Sequence, residues 1–161
     1  MFQAISLASI AVLTVIDQLT KYAAVATVKV NGPKAFLFGL MQFRYVENTG
    51  AAFSMFSENT SVLAVFSAVL IIAALVLLLL RKVKSNFINA CIVLVIAGGI
   101  GNVIDRVRLG YVVDFIEPLF IDFAVFNFAD CCITVGAFML IGYQIYDIIR
   151  DNKKKKASEH D

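Results

Sequence analysis

The sequence predicts an all-α membrane protein, a bundle of four spanning helices with an extramembrane strand on one side. Three observations predict it. Of 161 residues, 60% are hydrophobic and only 16% charged, with a mean hydropathy of +0.85. Soluble domains carry close to a quarter charged residues, so this chain cannot cover itself in water. Four apolar stretches are each long enough to cross ~30 Å of hydrocarbon. Finally, the basic residues are distributed unevenly along the chain, clustering in one short link and in the tail.

The first span covers about residues 5–28. It is apolar from Ile5 to Ile16 and then carries Asp17, Gln18 and Lys21. Ala24-Val25-Ala26 resembles a signal-peptide cleavage site, but no Lys or Arg precedes the apolar run and two charges interrupt it, so the segment is expected to be retained. The second span, 62–80, is interrupted only by Ser67. The third, 87–105, contains Asn89 and Asn102, and Gly98, Gly99 and Gly101 allow a neighbouring helix to approach closely. The fourth runs over 130–149. Pro33 and Pro118 fall outside the spans, so no proline kink is expected. Residues 1–150 read as one integral membrane domain, followed by a basic tail, 151–161.

Between spans, Met41-Gln42-Phe43-Arg44-Tyr45 alternates apolar and polar residues, which predicts a strand on the membrane surface. Residues 122–128 alternate more weakly. The link 81–86 and the tail 150–161 hold eight Lys/Arg in eighteen residues, against five in the fifty-five residues of the two longer loops. Positive residues favour the cytoplasmic side, so both termini are expected there, with the longer loops outside. The tetralysine from Lys153 to Lys156 reads as a topology anchor in preference to an anionic-lipid contact. A net charge of +2, spread in this way, argues against nucleic acid. Cys91, Cys131 and Cys132 lie in apolar runs without zinc spacing and read as buried hydrophobes.

The intramembrane polar groups share one depth. With both spans starting at the inner side, a rise of ~1.5 Å per residue places Asp17 ~18 Å, Lys21 ~24 Å, Asn102 ~22 Å and Asp105 ~27 Å across. The fourth span enters from outside with Asn127 and Asp130 at its first turn, Asn127 in position to cap it. Asn102, Asp105 and Arg106 occupy one face of the third helix. Such groups are costly in lipid and face a protein interior. Asp17–Lys21 and Asp105–Arg106 can be read as ion pairs pinning the bundle. Asp114 and Asp130 have no adjacent basic partner in sequence.

Hydrolysis by a serine–histidine pair is excluded, because the only histidine is His160, in the tail. No H-E-x-x-H is present. A Ser54–Lys21 dyad is a weak possibility, since Lys21 has Asp17 one turn away. Two carboxylates need less: one holds a proton and polarises a carbonyl while the other activates water, and proximity splits their titrations. The spacing of Asp114 and Asp130, on either side of a loop that doubles back, permits them to meet.

Five segments carry a resemblance: Asp17-Gln18-Leu19-Thr20-Lys21; Asn48-Thr49-Gly50-Ala51-Ala52-Phe53-Ser54; the run from Gly98 to Arg106; Gly110-Tyr111-Val112-Val113-Asp114-Phe115; and Phe126-Asn127-Phe128-Ala129-Asp130. In this order, on a four-span chain, they resemble the lipoprotein signal peptidases (signal peptidase II). The resemblance implies a bacterial inner-membrane aspartyl endopeptidase that cuts a prolipoprotein before a diacylglyceryl-modified cysteine, with no metal or cofactor; a monomer is expected. It implies a small extramembrane sheet, a cradle on the outer face. It implies Asp114 and Asp130 as catalytic pair, and Asn48, Gly50, Phe53, Asn102, Asp105, Arg106 and Asn127 as groups that position substrate or aspartates. Asp17 and Lys21 would support the first span. Phe43, Tyr45 and Phe53 are expected to cover the bound peptide, so that Phe53→Ala slows cleavage. Two other readings compete: a small proton- or ion-translocating bundle, which would need polar groups right across the bilayer, and a non-enzymatic membrane assembly factor, which would not need unpaired carboxylates at a wet boundary.

Overall fold

The computed structural model describes residues 1–50, 60–83 and 85–158, with the backbone alone for 153–158. Four helices are long and apolar enough to cross a membrane: α1 (Phe2–Asn31), α2 (Thr60–Leu79), α3 (Asn86–Leu109) and α4 (Phe128–Ser158), the last over its Phe128–Asn152 part. Strands β1 (Lys34–Phe36), β2 (Met41–Asn48) and β3 (Val112–Pro118) form one antiparallel sheet in the order β1-β2-β3.

The central element is α3, which packs against the other three helices. Its glycines explain how. A Cβ on Gly98 would strike the Ala129 carbonyl of α4, one on Gly99 would come 2.9 Å from the Ile71 side chain of α2, and one on Gly101 would strike the Asp17 carboxylate of α1. Each small residue thus admits a different neighbour. Away from the sheet, α1, α2 and α3 share an apolar cluster of Ile10, Leu78, Ile96 and Ala97. At the other end, the last turns of α1 (Ala24, Val25, Val28) pack beneath the sheet against Val113, Phe115 and Phe43. At thirty residues α1 is about 45 Å long, more than a bilayer core requires, and its surplus carries the sheet.

Several expectations change. The strand predicted at 41–45 extends to Asn48. The weak alternation at 122–128 gives no strand, only an isolated bridge of Phe126 to Ile116 on the outer edge of β3. β3 itself escaped the sequence reading: its first four residues are all buried, so it lacks period-two alternation. The first span is longer at both ends than 5–28, and α4 runs through Ser158 rather than ending at 149.

Candidate active site

The site is organised from a buried cation. Lys21 Nζ lies 2.9 Å from Asp17 Oδ2 and 3.1 Å from Asp105 Oδ2, and donates to Asn102 Oδ1 at 2.9 Å. An ammonium has three hydrogens, and all are used. Lys21 is only 3% exposed, so neither carboxylate exchanges its partner for water. The cluster then fastens the backbone around it: Asp17 Oδ1 accepts from Ala129 N at 3.0 Å, Asp105 Oδ2 from Val113 N at 3.1 Å, and Gln18 Nε2 donates to Asp105 Oδ1 at 3.1 Å. One lysine in α1 thereby sets the start of α4 and the start of β3. Of the two ion pairs the sequence allowed, Asp105–Arg106 does not form; Lys21 takes Asp105, because Asp105 turns inward toward α1 while Arg106 Nη2 donates to Gly50 O at 3.1 Å.

The asparagines transmit this order. Asn102 Oδ1, occupied by Lys21, also accepts from Asn127 Nδ2 at 3.2 Å, which leaves Asn102 Nδ2 to donate to Asp130 Oδ1 at 2.8 Å. Asn127 caps α4 as its residue type predicts: its Oδ1 accepts from Asp130 N at 2.9 Å, and Asp130 Oδ2 accepts from Asn127 N at 3.1 Å. This is the reciprocal arrangement of a capping box, with an aspartate in the returning position. The remaining Asn127 hydrogen goes to Asp114 Oδ1 at 2.6 Å. A single side chain, 0% exposed, therefore binds Asp114 and caps the turn that carries Asp130.

Asp114 is delivered from the other direction. Gly110 closes α3 in the left-handed conformation (φ 81°), which turns the chain into β3 within a few residues. Asn48 Nδ2 donates to Asp114 Oδ2 at 2.9 Å, and Asn48 Oδ1 accepts from Gly50 N at 2.9 Å. A bulge makes this contact possible. Phe43 opposes Ile116 but Val46 opposes Asp114, so β2 has one extra residue between them. Beyond it Asn48 opposes Val112 and shares a face with Asp114; without the extra residue it would oppose Tyr111 and face away.

Asp114 and Asp130 line one cavity of about 590 Å³ between α2, α3, α4 and the 123–126 segment. Its polar end adds Asn48, Asn102 and Arg106, and its apolar walls include Val112, Phe126, Ile133 and Val135. Asp114 is 2% exposed, whereas Asp130 is half-buried. Burial, reinforced by the negative charge of Asp130, raises the Asp114 pKa to about 7. Among the described residues, no group of His, Cys, Asp or Glu is arranged to hold a metal ion.

The sequence and the fold both have known relatives. The family model for signal peptidase (SPase) II matches residues 9–146. The chain belongs to the signal peptidase II family. It is 41% identical over 134 residues to the lipoprotein signal peptidase of Streptococcus thermophilus (strain CNRZ 1066), covering 82% of this chain and 88% of that protein. It is 37% identical over 133 residues to that of Streptococcus pyogenes serotype M5 (strain Manfredo), covering 83% and 88%. A bacterial membrane enzyme structure obtained by the in meso method superposes with a TM-score of 0.83 at 29% identity, covering 90% of both chains. A second gives 0.79, also at 29% identity, covering 89% of this chain and 94% of that one.

The signal peptidase II family processes lipoprotein signal peptides, and this chain is a multi-pass membrane protein of a protease family. Of the residues singled out in the sequence, Asp17, Lys21, Asn48, Gly50, Asn102, Asp105, Arg106, Asp114, Asn127 and Asp130 form one connected set of contacts or line the cavity. Phe53, Ser54 and His160 lie outside the described residues. The use of every Lys21 hydrogen leaves no free amine for a Ser54–Lys21 dyad. The sequence reading passed over Gln18 as a ligand of Asp105, although it stands inside a quoted motif. It also passed over Ser67 and Thr134 on the cavity wall, where isolated hydroxyls in apolar spans were the available signal.

Proposed function

We propose that the chain is an aspartic endopeptidase that cuts diacylglyceryl-modified prolipoproteins before the lipidated cysteine, with Asp114 and Asp130 as its catalytic pair. The observation that carries this is the shared cavity in which both carboxyls are held by Asn127 and its neighbours. A carboxyl with a pKa of about 7 beside a second carboxyl is the arrangement acid–base hydrolysis of an amide requires. Protonated Asp114 donates a hydrogen bond to the scissile carbonyl oxygen. Water attacks the carbonyl carbon as Asp130, the more open of the two, takes its proton. The tetrahedral intermediate collapses when the leaving nitrogen is protonated by the pair, which returns to its starting state with one proton between its members.

The surroundings suit this substrate. Acyl chains hold a lipidated cysteine at the membrane boundary, so the peptide bond before it lies at the depth of the aspartates. The apolar walls of the cavity accept the signal segment, and Arg106, with Nε unpartnered among the described residues, is placed to bind a backbone carbonyl. The excess of basic residues in the link and tail supports cytoplasmic termini and a site on the outer side. Residues 1–150 act as the single catalytic unit and function as a monomer. The test is a gel-shift assay of a diacylated prolipoprotein with the wild type, Asp114→Asn and Asp130→Asn. Neither variant should process it, and full activity in either removes the dyad.

A further inference from the structure

At the end of the bundle opposite the aspartates, α1 and α3 border a second cavity of about 370 Å³. Asn89, on its wall, precedes Asn102 along α3 by about 20 Å, so the two cavities are separate. Its lining combines apolar residues (Phe2, Ile5, Leu94) with polar ones (Ser6, Asn86, Asn89). Asn89 is 4% exposed; its Nδ2 donates to Val83 O at 3.1 Å, while its Oδ1 has no partner among the described residues. A buried carbonyl oxygen of this kind calls for a donor. Asn86 opens α3 directly after the Ser85 cap, so the free N–H groups and positive dipole end of a 24-residue helix lie at this cavity.

The end of α2 adds a cation. Arg81 N donates to Leu78 O at 3.2 Å and Lys82 N to Leu77 O at 3.3 Å. This is a Schellman closure with Arg81 (φ 50°) in the left-handed position usually held by glycine. Arginine is disfavoured there. Its guanidinium sits 5.0 Å from the ring centroid of Phe2, which lines the cavity.

We propose that this cavity binds one phospholipid from the adjoining leaflet. The phosphate lies between Arg81 and the first turn of α3, a headgroup hydroxyl donates to Asn89 Oδ1, and the acyl chains run along Phe2, Ile5 and Leu94. A glycerol headgroup, as in phosphatidylglycerol, meets all three demands. A choline headgroup carries the phosphate but has no hydrogen-bond donor.

The test uses the full chain, purified in non-ionic detergent, with lipid retention read by native mass spectrometry and melting followed during titration. The wild type should retain one phosphatidylglycerol at least tenfold more strongly than phosphatidylcholine, with a matching rise in melting temperature. Arg81→Gly removes the cation while giving the left-handed position its preferred residue. It should lose phosphatidylglycerol at least tenfold while its lipid-free melting temperature holds or rises. Asn89→Leu should abolish the preference for glycerol over choline. Equal retention of both lipids by the wild type, or undiminished phosphatidylglycerol on Arg81→Gly, would overturn the site. Stabilisation by soluble sn-glycerol 3-phosphate equal to that by the lipid would overturn its assignment to a lipid.

Discussion

Asp114→Asn removes a titration that burial has displaced, and the structure gives its size. Asp114 is 2% exposed and its pKa is raised from 3.8 to about 7. Because the folded value lies above the unfolded one, folding favours the protonated carboxyl. That stability is complete below about pH 3.8 and is lost as pH rises through about 7. At about 1.4 kcal/mol per unit, the wild type loses about 3 kcal/mol between pH 5 and pH 8 through this group alone. Asparagine does not titrate. It keeps an acceptor for Asn127 Nδ2 but turns its own amide toward Asn48 Nδ2, donor against donor, at a pH-independent cost of about 1–2 kcal/mol. In detergent micelles, the unfolding free energies of wild type and variant should therefore converge or cross between pH 5 and pH 8. Parallel curves would refute the claim that burial of this carboxyl governs the site.

Four further outcomes follow from the same contacts. The specificity constant for prolipoprotein cleavage should fall as pH rises through about 7, where Asp114 loses its proton; a flat profile from pH 6 to 9 contradicts that role. Lys21→Met leaves Asp17 and Asp105 buried without their cation and should cost about 3–5 kcal/mol, measured as loss of the folded fraction in detergent. Asp17→Asn keeps Lys21 paired with Asp105 and should reduce stability or rate only in part. Gly98→Ala presses on the Ala129 carbonyl in the first turn of α4 and should cost about 1–3 kcal/mol along with cleavage rate, whereas Gly142→Ala, with open space around it, should be neutral in both.

Much of the site was legible because its parts are local. Asn127 and Asp130 stand at the spacing of a helix cap, and Asp17 and Lys21 one turn apart, so their residue types announce the contacts they make. Gly98, Gly99 and Gly101 marked α3 as the helix others approach. What stayed hidden is what depends on several segments at once. β3 is buried on both faces and so carries no alternation, and Lys21 chooses Asp105 across the helix interface, which adjacency in sequence pointed away from.

The sequence alone pointed to a membrane protein with four spanning stretches, and to polar groups gathered at a common depth along them. Hydropathy and helical rise are additive along a chain and need no partner. Only the tertiary structure decided which groups meet. One extra residue in β2 turns Asn48 onto the face of Asp114, and one shared asparagine joins that carboxyl to the cap of α4. Strand parity and hydrogen-bond valence are properties of contacts between distant segments, and they acquire values only when those segments are packed together.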